Sequence, residues 1–127
     1  LHPARCVVVT GHADSRATDV LDARSRAPGA NDDASGVAVV LECARVLASS
    51  TFPTGIVFAA LTGEEQGLLG ARELARALAQ GGRDVVAMAT HDIVGNSRGQ
   101  DGRRAGDRVR LFSAGRDAEE GAAQAQR

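Results

Sequence analysis

Three short runs of apolar residues, many of them β-branched, mark the chain at residues 6–10, 56–61 and 85–90. Runs of this length with almost no polar position are typical of strands that are covered on both faces of a sheet. Between them, residues 34–48 and 67–79 carry apolar side chains at helical spacing, which predicts two amphipathic helices. The order strand, helix, strand, helix, strand predicts an α/β fold, a three-layer sandwich in which helices flank a largely parallel or mixed central sheet.

The ends of the two predicted helices carry their own signals. Asp33 stands just before the first helix and is predicted to be its N-cap. Gly81 and Gly82 are predicted to end the second helix. The second helix is expected to bury one face, made of Leu68, Ala71, Leu74, Ala75 and Leu78.

The remaining segments are predicted from their composition. Residues 15–31 and 97–107 are polar and contain glycine, so we expect loops. Residues 109–113 are predicted to form a short fourth strand. We expect one partial domain over residues 1–115 and a disordered polar tail over residues 116–127.

Composition excludes several classes of partner. The 127 residues carry a formal net charge of −1, so no overall field attracts nucleic acid or an anionic membrane. Three Phe, with no Trp or Tyr, are too few for a base-stacking surface. No run approaches the roughly 18 apolar residues of a membrane span. Cys6 and Cys43 are expected to be buried thiols, although a disulfide between them stays open at this point.

No signal peptide is predicted at the start of this sequence. The first residue is Leu rather than Met, and no charged-then-apolar signal peptide follows it. We expect both ends to be truncated. The compartment therefore stays unknown at this point.

Acidic and imidazole side chains follow each predicted strand and precede the first helix. They are His12 and Asp14, then Asp32 and Asp33, then Glu64 and Glu65, and finally Asp92. Because the carboxyl ends of parallel strands meet at one edge of a sheet, these side chains are expected to converge. Carboxylates so concentrated repel one another unless a cation neutralises them. Imidazole with carboxylates suits zinc, or a related ion such as cobalt or manganese.

Each of these residues also has a purely structural interpretation. His12 alone is compatible with a loop histidine, Asp14 with a turn, and the Glu64–Glu65 pair with a helix start. His91 is interpreted as structural, because adjacent side chains of an extended chain point to opposite faces. The arrival of three strand ends at one edge favours a metal site over these separate roles.

Four segments carry a family resemblance: GHADS, APGANDDASG, FAALTGEEQGLLG and HDIVGN. They resemble the successive motifs of the M28 family of metallopeptidases, the co-catalytic zinc aminopeptidases, from about residue 6 to residue 115. The resemblance implies a hydrolase that uses two zinc ions to cleave the N-terminal peptide bond of a peptide substrate.

The first half of the site is implied by two of these motifs. His12 in GHADS matches the first zinc ligand, and Asp14 matches the carboxylate that orients this histidine. Asp32 in GANDDASG matches the carboxylate that bridges both metals. In the family the peptide bond after this residue is cis, so the same is implied for Asp32–Asp33.

The second half follows from the other two motifs. In GEEQG, Glu64 matches the general base and Glu65 matches a zinc ligand. Asp92 in HDIVGN matches a further terminal ligand. Adjacent glutamates suit this chemistry, because one faces the metal while the other takes a proton from the attacking water.

One ligand of the family pattern is missing from this sequence. The family's remaining ligand is a histidine far downstream, and no histidine follows Asp92. The resemblance therefore implies a complete set for one metal, His12, Asp32 and Asp92. It leaves only Asp32 and Glu65 for the other. We expect little activity from this chain alone.

Two other functions are to be compared with a peptidase. A catalytically silent metal-binding or interaction domain of the same fold is the alternative, and the retained base, Glu64, favours the enzyme. A phosphate-binding α/β protein is disfavoured, because no glycine-rich phosphate loop follows a strand.

Overall fold

A computed structural model describes residues 2–99 and 101–112. The chain divides into two compact units, Leu1–Gly95 and Asn96–Arg127. Both predicted helices, three of the four predicted strands and all predicted site residues fall in the first unit.

The first unit contains the five predicted elements in the predicted order. They are β1 (His2–His12), α1 (Ala34–Leu47), β2 (Thr54–Leu61), α2 (Leu69–Gln80) and β3 (Asp84–Thr90). α2 begins later than its pattern indicated, because Gly67 and Leu68 have φ angles of 101° and 61°, outside the right-handed helical region. It ends at the predicted place, with Gly81 as its C-cap. Within the described residues, no helix is long and apolar enough to cross a bilayer.

The three strands form one parallel sheet in the order β2-β1-β3. This confirms the α/β class. Register places His12 beside Leu61 of β2, and Thr10 beside Thr90 of β3. The carboxyl ends of all three strands therefore lie level, with β1 in the middle.

The core of this unit is small and centred on β1. Cys6 and Val8 are buried, as is Val40 of α1, which packs on β1 and β2. On β1, Gly11 passes very close to the start of α1, where an added Cβ would lie 2.8 Å from the backbone carbon of Gly36. Glycine at this position allows the strand end and the helix start to approach each other. Cys6 is a buried free thiol and Cys43 a partly buried one, so no disulfide joins them.

Three predictions about burial are wrong. The residues of β2 are only partly buried or exposed. β3 is exposed along its whole length, and α2 has no buried residue. Val86 and Met88 of β3, for example, are 40% and 56% exposed. β3 is exposed because it is an edge strand of the described sheet, and α2 contacts this edge strand. The buried apolar residues lie instead on β1 and α1.

The second unit contains a short reversal of the chain. Arg98 and Arg104 form an isolated antiparallel bridge, and the Ala105 amide donates to the Ser97 carbonyl at 2.8 Å. The predicted fourth strand is not formed at residues 109–112, and its last residue, Ser113, lies outside the described residues. The predicted polar tail, residues 116–127, also lies outside them.

Candidate metal centre

Hydrogen bonds between the strand ends bring the three site-bearing segments together. The Ala13 amide donates to the Leu61 carbonyl at 2.6 Å, and the His91 amide donates to the Thr10 carbonyl at 2.8 Å. These bonds extend the parallel ladders by one step beyond the strands. The residues that follow β1, β2 and β3 consequently start from one edge of the sheet.

His12, the last residue of β1, is 4% exposed and has a fixed ring orientation. Its Nδ1 lies 3.0 Å from the Asp14 carbonyl oxygen and 3.6 Å from the Asp14 Oδ1. A carbonyl oxygen only accepts hydrogen bonds, so Nδ1 carries a proton and Nε2 is the ring nitrogen left to bind a metal. Nε2 faces two carboxylates, with Asp32 Oδ1 at 3.1 Å and Asp92 Oδ1 at 3.9 Å.

Asp33 joins the end of β1, the start of α1 and the segment after β3 through its carboxylate, and the residue is 1% exposed. Its Oδ1 accepts from the Gly36 amide at 2.9 Å and from the Ile93 amide at 3.3 Å, and its Oδ2 accepts from the His12 amide at 3.1 Å. The predicted N-cap of α1 is thereby confirmed. The Asp32–Asp33 peptide bond is cis, as the resemblance implied.

Two neighbouring aspartates are thus near the imidazole, in different environments. Ligand atoms of His12, Asp33 and Asp92 lie within 4.8 Å of one another, a spacing that a metal ion can bridge. Both oxygens of Asp33, however, already accept backbone hydrogen bonds. Asp32 is half exposed, and its Oδ1 is the nearer to Nε2.

The carboxylates around His12 alter its proton affinity. Burial lowers the pKa of His12, but the Asp14 carbonyl and the charges of Asp33, Glu64 and Asp92 raise this pKa by more, so it lies above its ordinary value. The imidazole therefore lies in a region of net negative charge.

Asp92 shows the same excess of negative charge. Burial raises the pKa of Asp92, and the charges of Asp33, Asp32 and Glu65 raise it further, against a smaller lowering by His12. Such mutual repulsion is relieved when a cation binds between the carboxylates.

Asp14 fixes the backbone of both predicted glutamates. Its Oδ1 accepts from the Glu64 amide at 3.1 Å and its Oδ2 from the Glu65 amide at 3.2 Å. Burial opposes ionisation of Asp14, but these two bonds and the His12 charge lower the pKa of Asp14 below its ordinary value. One residue thus contacts the imidazole through its carbonyl and the two glutamates through its carboxylate.

Glu65 has a partner that the sequence did not predict. Arg16 Nε lies 2.6 Å from Glu65 Oε2, in a pair whose side chains are 41% and 13% exposed. The one feature of the sequence that places Arg16 near the site is its position two residues after Asp14. No role was predicted for Arg16, and nothing in the spacing indicated that an arginine of this loop would reach the carboxyl end of β2.

Comparison with known proteins places this geometry in context. The sequence profile of peptidase family M28 matches residues 2–120. A probable zinc metalloprotease of Leptosphaeria maculans is 50% identical over 113 residues, which are 89% of this chain and 26% of that protein. Probable zinc metalloproteases of Pyrenophora tritici-repentis and Pyricularia oryzae are 49% and 45% identical over the same share of this chain, covering 23% and 22% of their own lengths. The chain therefore spans about a quarter of the length of these relatives.

The same comparison among solved structures gave no match. The distances in the candidate metal centre are therefore described from this chain alone.

Proposed function

The chain belongs to peptidase family M28, and we propose that it forms part of a zinc-dependent peptidase that hydrolyses the N-terminal peptide bond of peptides. The observation that carries the proposal is the orientation of His12. Its Nδ1 is held by the Asp14 carbonyl, so that Nε2 points at the carboxylates of Asp32 and Asp92.

The donor set fits a zinc ion. One neutral imidazole with two carboxylates is a common combination for this metal. Ligand atoms at about 2.0 Å from a tetrahedral zinc are roughly 3.3 Å apart. The separations of 3.1 Å and 3.9 Å from Nε2 to Asp32 and Asp92 bracket that value.

Asp32 is the better ligand of the two adjacent aspartates. The oxygens of Asp33 accept hydrogen bonds from three backbone amides, and the residue is 1% exposed, so a metal bound to Asp33 would compete with these donors. Asp32 has no such role in the described structure, and it is half exposed. We therefore assign the first metal to His12, Asp32 and Asp92, and Asp33 to the support of that site.

Glu64 and Glu65 have separate tasks in this proposal. When bound, the metal activates water and polarises the scissile carbonyl. Glu64 takes the proton of the attacking water and returns it to the leaving amine. Asp14 holds the backbone of Glu64 in place for this transfer. Glu65 contributes a carboxylate to the second metal.

Zinc titration of the purified chain tests the ligand assignment. We expect one tight site and one much weaker site, because three protein ligands are present for the first metal and only Asp32 and Glu65 for the second. Calorimetry at pH 7 measures both affinities. His12→Ala should abolish the tight site, and two equally tight sites, or no binding, would contradict the assignment.

Thermal unfolding gives an independent check. Zinc at about 100 times its dissociation constant stabilises a folded chain by about 2.7 kcal/mol. For a domain of this size, this free energy corresponds to a rise in Tm of roughly 10 °C. We expect such a shift when melts with zinc and with chelator are compared. Asp92→Asn should remove most of the shift, whereas equal melts of the wild type in zinc and in chelator would count against a metal site.

A further inference from the structure

The ion pair between Arg16 and Glu65 is not explained by the roles assigned so far. Glu65 Oε2 is held at 2.6 Å by Arg16 Nε, and the Glu65 side chain is only 13% exposed. The second oxygen, Oε1, is not part of this contact. A carboxylate held by one oxygen has a restricted orientation, which leaves Oε1 as the oxygen for a further contact.

The guanidinium is itself oriented by its own loop. Arg16 Nη1 lies 3.5 Å from the carbonyl oxygens of both Ala17 and Thr18, at the limit of hydrogen bonding. The Glu65 amide is held by Asp14, which is two residues before Arg16. The loop after β1 therefore contacts Glu65 at both its backbone and its side chain.

The exposure of Arg16 argues against a large contribution of the ion pair to stability. Arg16 is 41% exposed and lines an open cleft of about 310 Å³, so solvent screens its charge. Ion pairs at such sites contribute little to the free energy of unfolding. Hydrogen bonds to a metal-binding carboxylate, by contrast, fix its direction, and their loss lowers metal affinity.

We propose that Arg16 is a positioning residue that holds Oε2 of Glu65, so that Oε1 is directed to the second metal. This proposal rests on the proposed function, because it needs Glu65 to be a ligand. The guanidinium also offsets the charge of Glu65 before metal binds, which limits repulsion from the neighbouring acids.

Zinc titration of matched variants tests the proposal. Arg16→Gln should weaken the second, weaker site by about 10-fold or more and leave the first site unchanged. Arg16→Lys, which keeps a donor and a charge, should recover part of that loss. Arg26→Gln changes an exposed arginine of the same loop and should leave both affinities unaltered.

A combined variant distinguishes positioning from a general charge effect. In a Glu65→Gln background, Arg16→Gln should have no further effect on either site. A second site that binds zinc more tightly after Arg16→Gln, an unchanged second site, or a further loss in the Glu65→Gln background would overturn the proposal. In all three cases an intact first site leaves the proposed function standing, whereas absence of zinc binding by the wild type overturns both.

Discussion

Glu64→Gln is expected to lower kcat by about 10²–10⁴-fold, because it removes the group that transfers the proton. The measurement needs an active enzyme. A chimera in which this chain replaces the matching 113-residue segment of the Leptosphaeria maculans protein supplies the rest of a longer chain. Hydrolysis of a chromogenic leucine amide by the chimera and by its Glu64→Gln variant gives the ratio.

Metal content is the control for that experiment. Zinc affinity of the Glu64→Gln chimera should match that of the parent, since Glu64 acts on water rather than on the metal. Glu65→Gln should instead weaken the second site. Equal loss of zinc from both variants would mean that the two glutamates are wrongly assigned. A parent chimera that binds zinc and hydrolyses nothing would favour the silent metal-binding domain.

The fold was predictable from sequence where one strand or helix carries its own signal. The apolar runs, the glycines after α2 and the cap at Asp33 are local features, and the three strands and two helices that they mark formed in the predicted order. The predicted fourth strand did not form at residues 109–112. Burial was less predictable, because it depends on what covers an element. The leucine pattern of α2 gives the direction of a face but not the presence of a partner, and this face is not buried in the described structure.

In the candidate metal centre, too, the positions of residues were predictable from the sequence and their individual contacts were not. Positions at strand ends predicted that His12 and the acids converge on one edge of the sheet, because the carboxyl ends of parallel strands lie at the same edge. The backbone carbonyl of Asp14 contacts His12, and its carboxylate accepts from the Glu64 and Glu65 amides. The sequence could not show this division, because it gives the residue type but not which of its groups makes each contact. The pairing of Arg16 with Glu65, 49 positions apart, was equally beyond any local pattern.

Asp33→Asn is expected to destabilise the metal-free chain by about 3 kcal/mol or more. The change keeps the shape but turns one oxygen into an NH₂ group. Whichever way the amide is turned, this donor then faces at least one backbone amide of Gly36, Ile93 or His12. A buried donor left without an acceptor costs about 1–3 kcal/mol, and the other bonds lose their charge assistance. Urea unfolding in chelator measures the difference in free energy.

Asp32→Asn is the matched comparison, because it makes the same chemical change one residue earlier. Asp32 is half exposed and none of those amides donates to it, so its replacement should change stability in chelator by far less. Because its Oδ1 lies 3.1 Å from His12 Nε2, this variant should lose the tight zinc site, which tests the assignment of ligand and support directly. The reverse result, with zinc binding kept in Asp32→Asn and lost in a stably folded Asp33→Asn, would show that Asp33 is the ligand.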